Sequence, residues 1–249
     1  MLSSRILKGG ALIEESRILV ERWDLGTTPA ANLSLLLDQN ALAKRSHSRA
    51  MDVLQVLRDR LAEPGPYVIA ALKELVGHPR AFSEACYFEA GRTDDLLAVF
   101  AQELLWHLYQ RGRSAVPVAD AVEWLARLVA AERLPAWSRS VRERAARGLL
   151  ATTRDFGVLR GAARKELGPP RLSPAGFAYV AFRLHQRGET SAGLATSAVW
   201  RRWLLQPAEV DQLFAEAAHL GVLRQSRAGS VVRLDWELPT LVEVAHAVA

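Results

Sequence analysis

Leu12, Ile13, Leu19, Val20 and Trp23 recur near the helical period, and Glu14 and Glu15 fall where a helix's first turn favours negative charge. The spacing predicts a helix over 12–23, broken by Gly26-Thr27-Thr28-Pro29. A second helix is expected over 30–38, with Pro29 near its start. Ser46 is placed to cap a third, which runs to about Ala62. Ala50, Val53, Leu54, Leu57 and Leu61 form its apolar stripe, and Arg49, Asp52, Gln55, Arg58 and Asp59 lie off it. Three short helices, the third amphipathic and basic at its start, make the pattern of a helix-turn-helix unit.

Glu63-Pro64-Gly65-Pro66 marks a boundary. Helical periodicity resumes over 67–76, 82–89, 93–110 and 119–131, with Trp106 and Trp124 on apolar faces and therefore read as core. Residues 138–155 predict an Arg-rich helix that ends in Phe156-Gly157-Val158-Leu159-Arg160, a helix stop entering a short strand. Residues 161–171, with Arg164, Lys165 and Pro169-Pro170, read as a basic linker.

In the last third, Ser173-Pro174 opens a helix to about Gln186, and 192–205 holds a short helix around Trp200-Arg201-Arg202-Trp203. Pro207 opens another helix through Leu220. Two alternating runs, 222–225 and 231–236, are joined by a Gly-containing loop and predict a β-hairpin. Helix, helix, helix, hairpin is the order of a winged helix. The expected fold is all-α, mainly helical, with small β-hairpin wings: helix-turn-helix and winged-helix modules joined by a helical bundle. The expected division is 1–63, 64–136, 137–171 and 172–249.

Composition refines this picture. Half of the 249 residues are hydrophobic, enough for a sizeable core. The net charge is +5, and 28 of the 32 basic residues are Arg. The Arg fork suits phosphates and guanine edges, although GC-rich coding produces the same bias. The single cysteine, Cys86, can form no internal disulfide and no thiolate cluster, which fits a reducing compartment. The first 23 residues carry too many charges for a secretory signal, and 96–109 is too short and polar to span a bilayer. A soluble, cytoplasmic protein with no membrane partner is expected.

No nucleotide-binding loop follows a strand, and Gly9-Gly10 reads as a plain helix start. The six histidines are scattered, without metal-ligand spacing. Glu14-Glu15 and Asp94-Asp95 are explained by the helix dipole. These absences argue against an enzyme, a cofactor and a metal.

The chemistry points instead to basic segments. Lys44-Arg45-Ser46-His47-Ser48-Arg49 opens the third helix, where backbone N–H groups already favour phosphate. Arg139 and Arg142 sit near the start of the Arg-rich helix, where positive charge opposes the dipole unless an anion faces it. The corresponding helix of the last unit is acidic, with Glu209, Asp211 and Glu216. DNA contact there would fall on Arg224, Arg227 and Arg233 of the hairpin and on Arg201 and Arg202; otherwise the unit docks protein. Trp200 and Trp203 read as core rather than as a stacking platform.

An ordered set of segments resembles the BrxA family, accessory proteins of BREX (bacteriophage exclusion) defence systems. It comprises Ile6-Leu7-Lys8-Gly9-Gly10-Ala11-Leu12-Ile13-Glu14-Glu15-Ser16-Arg17, Trp23-Asp24, Asn40-Ala41-Leu42 with Lys44 and Ser46, Trp137-Ser138, Phe156-Gly157-Val158-Leu159, Trp200–Leu205 and Gly229–Leu234. The resemblance implies a small, non-enzymatic component that binds double-stranded DNA and acts beside a methyltransferase, an ATPase and other BREX proteins. It also implies a helical fold with winged-helix units. A protein-docking scaffold of the same complex and an RNA-binding helical module are the competing readings.

Overall fold

The computed structural model describes residues 1–2, 9–169, 171–229 and 231–249. Ile6-Leu7-Lys8, Pro170 and Ser230 lie outside the described residues.

The chain folds as a run of helices with two small antiparallel hairpins. Helix α1 (Ile13–Arg22) leads through a tight turn to α2 (Pro29–Asp38). Buried Asn32 fixes that turn: its amide donates to the Asp24 carbonyl at 2.8 Å and its oxygen accepts from the Asp24 N–H at 2.8 Å. Helix α3 (His47–Leu57) begins at its expected cap, Ser46, and continues as a π-helical turn, Arg58–Ala62. Helices α4 (Pro66–Leu75) and α5 (Pro79–Thr93) follow. The helix expected over 93–110 is capped by Asp94 and comprises α6 (Asp95–Val99), a π-helical segment (Phe100–Leu105) and α7 (Trp106–Gln110). Then come α8 (Val118–Ala130) and α9 (Arg139–Asp155), the latter capped by Ser138.

The short strand expected at the end of 156–160 is present, and the segment read as a basic linker folds back to pair with it. Strand β1 (Leu159–Arg160) pairs with β2 (Glu166–Leu167), Leu159 opposite Leu167. Residues 114–116 cover its outer edge: Ala115 bridges Glu166, the Val116 N–H donates to the Lys165 carbonyl, and the Leu167 N–H to that of Ser114. Strands of two residues carry no alternation for a sequence pattern to reveal.

The last third keeps the expected order: α10 (Pro174–His185), α11 (Ser191–Thr196), a 3₁₀ turn (Ala198–Trp203), α12 (Pro207–His219), then β3 (Leu223–Ala228) and β4 (Val231–Trp236). The short helix expected over 192–205 is two pieces broken at Ser197, which caps the second. A final helix, α13 (Leu241–Val248), opens with a reciprocal capping box between Thr240 and Glu243.

Two helices are buried nearly all round. In α5, Ala85 through Gly91 are buried, and in α10, Gly176 through Leu184. A helix apolar on every side belongs in the interior of a larger assembly of helices. Helix α10 packs against α5, α12 and α13. Trp200 stacks on Phe177, ring centroids 4.6 Å apart, and meets Phe214 edge-on. Trp200 and Trp203 are core, as the sequence reading held; Trp106 is only partly buried.

Charged groups stitch this interior. Glu89 on α5 accepts from Arg183 Nε at 2.8 Å, Tyr179 Oη at 3.0 Å and Arg92 Nε at 2.8 Å. Arg92 also donates to the Asp59 and Arg60 carbonyls, and Arg60 to those of Gly10 and Ala11. Glu84, five residues before Glu89 on the same helix, accepts from the Ser173 N–H at the start of α10. Helix α5 thus joins the first three helices to the last third through ionic and backbone hydrogen bonds as well as apolar packing.

Candidate nucleic-acid interface

The start of α3 is shaped by its own loop. Asn40 adopts a left-handed backbone (φ 44°); its side chain accepts from the Lys44 N–H at 3.0 Å and donates to the Lys44 carbonyl. Asn is among the residues that tolerate this conformation, because its short amide can bond locally. Lys44 is drawn to Glu15 of α1 at 2.6 Å and is half-buried. Arg45, Ser46, His47, Ser48 and Arg49 follow in a row, all exposed, and the Ser46 Oγ accepts from the Arg49 N–H. Arg45 has no ion-pair partner among the described residues. Of the predicted run, Lys44 is therefore committed to the fold, while residues 45–49 face solvent.

Helix α9 divides by face. Ala145, Ala146, Leu149, Leu150, Thr152 and Thr153 are buried, whereas Ser140, Arg144 and Arg147 are exposed. Arg139, 84% exposed, reaches Glu143 at 3.1 Å, and Arg147 reaches the same carboxylate at 3.7 Å. Arg142 points back instead: it is half-buried and donates to the Trp137 carbonyl at 2.8 Å. That bond secures the chain entering α9, so Arg142 is corrected from a contact residue to a positioning one.

The last unit corrects several expectations. Arg202 is buried and donates to the Phe88 and Gly91 carbonyls at the end of α5. Burial pulls its guanidinium down to about 10. It is therefore withdrawn from any surface contact. Arg201, its neighbour, faces outward over the Trp106 ring at 5.7 Å. The hairpin cations are each matched by an acid of the same unit: Arg224 by Glu237 at 2.7 Å, Arg233 by Asp235 at 2.9 Å, and Arg227 by Asp211 of α12. The acidic character of α12 has a local cause: Glu209 accepts from the Gln206 N–H to complete a capping box, and Asp211 receives Gln225 as well as Arg227.

Charge along the chain completes the geometry. Residues 139–167 hold eight Arg and Lys against three Asp and Glu, a surplus of five that equals the net charge of the whole chain. The remaining residues balance to zero. Arg113, Arg164 and Lys165 also line one cleft of about 510 Å³, together with Ser114, Pro117 and Val118. The sequence reading missed this cleft because residues 111–118 and 161–165 meet only through the small hairpin.

Burial raises the Cys86 thiol to about 12, with no cation strong enough to offset it. No group of three or more His, Cys, Asp or Glu able to hold a metal occurs among the described residues, and no described helix is long and apolar enough to cross a membrane.

A family model described as BrxA matches residues 2–183, well over half of the chain. The chain belongs to the BrxA family. BrxA membership implies a BREX-associated role. The matched region runs from α1 into α10 and so includes the start of α3, all of α9 and the first hairpin. The similar segments at 200–205 and 229–234 fall outside it. A crystal structure of an uncharacterized protein from Magnetospirillum magneticum is similar to this BrxA-family chain at 18% identity, covering 81% of this chain and 97% of that one, with a TM-score of 0.62. That likeness is one of fold. No curated protein matches.

Proposed function

We propose that this BrxA-family protein is a non-enzymatic, cytoplasmic accessory component of a BREX phage-defence system that binds double-stranded DNA. The observation that carries the reading is the exposed row Arg45–Arg49 at the capped start of α3. There, Arg side chains, hydroxyls and helix N–H groups all suit phosphate. With α2 and its turn, α3 has the makings of a helix-turn-helix whose third helix presents its first residues to a groove. Helix α12 offers the opposite case, since its face is acidic and the hairpin cations are already matched. That balance favours the last unit as a place where other BREX proteins dock.

The test is a fluorescence-anisotropy titration of duplex DNA across a salt series. With about 3–6 phosphate contacts, log K should fall with log salt at a slope of roughly −3 to −5. No binding at low salt, or an affinity indifferent to salt, overturns the reading. Arg45→Ala with Arg49→Ala should weaken binding by about 1–3 kcal/mol and flatten the slope by roughly 2. Arg202→Met, at a buried site, should leave the affinity of the folded variant unchanged. A loss there equal to that of the α3 double variant would contradict the placement.

A further inference from the structure

Residues 95–167 follow a definite order. The helix α6–α7 comes first, then the short edge strand around Ala115, then α8, α9 and the hairpin β1–β2. The edge strand pairs with the second strand of the hairpin, not the first. Helix, strand, helix, helix, hairpin, with the first strand added beside the last, is the order of a winged helix. Here it lies in the middle of the chain, in addition to the helix, helix, helix, hairpin order that the last third keeps.

In such a unit the last helix is the one presented outward. Its counterpart, α9, buries one face against α8 and the core. The opposite face, Ser140, Arg144, Arg147 and Ala151, steps by four, three and four residues and so lies along one side. Glu143 is shared by Arg139 and Arg147 and offsets only one of them. Arg144 has no ion-pair partner among the described residues. Gly148 has no atom within 4 Å of where a Cβ would stand, so no neighbour requires its smallness. A glycine costs a mid-helix position about 1 kcal/mol relative to alanine. The hairpin loop adds Arg164, 72% exposed and paired at 3.6 Å with Glu166, and Lys165, while Arg160 on β1 is exposed and without an ion-pair partner among the described residues. The whole net charge of the protein is gathered in this helix and loop. A helix of ordinary width fits the major groove of B-form DNA, about 12 Å wide.

We infer that residues 95–167 form a second duplex-docking unit, with α9 lying in the major groove and the loop 161–165 on the adjacent backbone. The inference rests on the DNA-binding reading and assigns it a second surface. Its partner is B-form DNA, because the deep, narrow major groove of A-form RNA does not admit a helix.

Two independent measurements on the full chain test it, using a duplex of about 20 base pairs, two helical turns. Arg144→Glu with Arg147→Glu, checked for fold by circular dichroism, should lower affinity at least about tenfold and flatten the salt slope by roughly 2. In the unaltered protein, acetylation of lysines should be slowed by duplex DNA at Lys165 and not at Lys73, which lies on α4 away from this unit. The second measurement stands even if the double variant fails to fold. Failure of the unaltered protein to bind DNA would overturn the DNA-binding reading itself. Normal binding by the α9 variant, or equal acetylation of Lys165 with and without DNA, would overturn only this unit. An RNA duplex of the same length protecting Lys165 as well as DNA does would overturn the groove assignment.

Discussion

Replacing Arg183 by leucine should lower the unfolding free energy by about 3–5 kcal/mol, the usual cost of removing one member of a buried ion pair. Arg183 and Glu89 are both almost fully withdrawn from solvent, with Nε 2.8 Å from the carboxylate. Burial alone would pull the guanidinium down, yet the adjacent carboxylate and its hydrogen bond hold it above the ordinary arginine range. Removing the cation leaves Glu89 with Arg92 and Tyr179 only, and leaves the Tyr67 hydroxyl without its donor at 3.0 Å. Urea denaturation followed by circular dichroism measures the loss. The double variant Glu89→Leu, Arg183→Leu should lose less than the two single losses summed, because part of each is the penalty of an orphaned charge. A single-variant loss below about 1 kcal/mol, or strict additivity, would show that the pair is solvated rather than buried. Neither residue lies on a proposed DNA surface, so duplex affinity of the folded variants should match that of the unaltered protein.

That network also shows where sequence reasoning stops. Helix starts were legible because capping is local: Thr28, Ser46, Ser138 and Ser173 each accept from an N–H three residues on. The fate of a cation is not local. Arg201 and Arg202 are neighbours in sequence, yet the 3₁₀ turn sends one outward over Trp106 and the other into the carbonyls ending α5. Lys44 meets an acid 29 positions away, and Arg227 one 16 positions away. Counting basic residues along a segment cannot tell a free charge from one already matched. The three hairpin arginines stood beside Arg45 and Arg49 among the candidates for that reason. The charge surplus of 139–167 was countable in the sequence, but its meaning depends on the hairpin that turns 161–165 back, and two-residue strands leave no pattern. Helix α13 was more legible than it first looks: Thr240-Leu241-Val242-Glu243 spells a capping box, followed by the apolar pair Val244-Ala245.

Val244→Asp should then be among the most damaging single changes in the chain, costing at least about 4 kcal/mol through the lost burial of a valine together with the desolvation of a carboxylate. Val244 is fully buried on the face that α13 turns toward the core, beside Leu241 and Ala245. That face seats against α4 and α10, one helix from the first third of the chain and one from the last. His246 reaches Glu74 of α4 at 2.9 Å from the rim of the same contact. An aspartate at 244 has no cation within that apolar contact, so either α13 leaves its seat or the carboxyl stays protonated. Leaving the seat would expose the apolar flanks of α4 and α10 together, and thermal unfolding should start earlier while remaining a single transition. Glu243→Ala separates this from mere fraying of the helix start: it removes one half of the capping box, worth about 1 kcal/mol, and leaves the buried face intact. Thermal melts of both variants by circular dichroism decide the matter. If Val244→Asp melts no earlier than Glu243→Ala, α13 is not the clasp between the two ends of the chain that its packing describes.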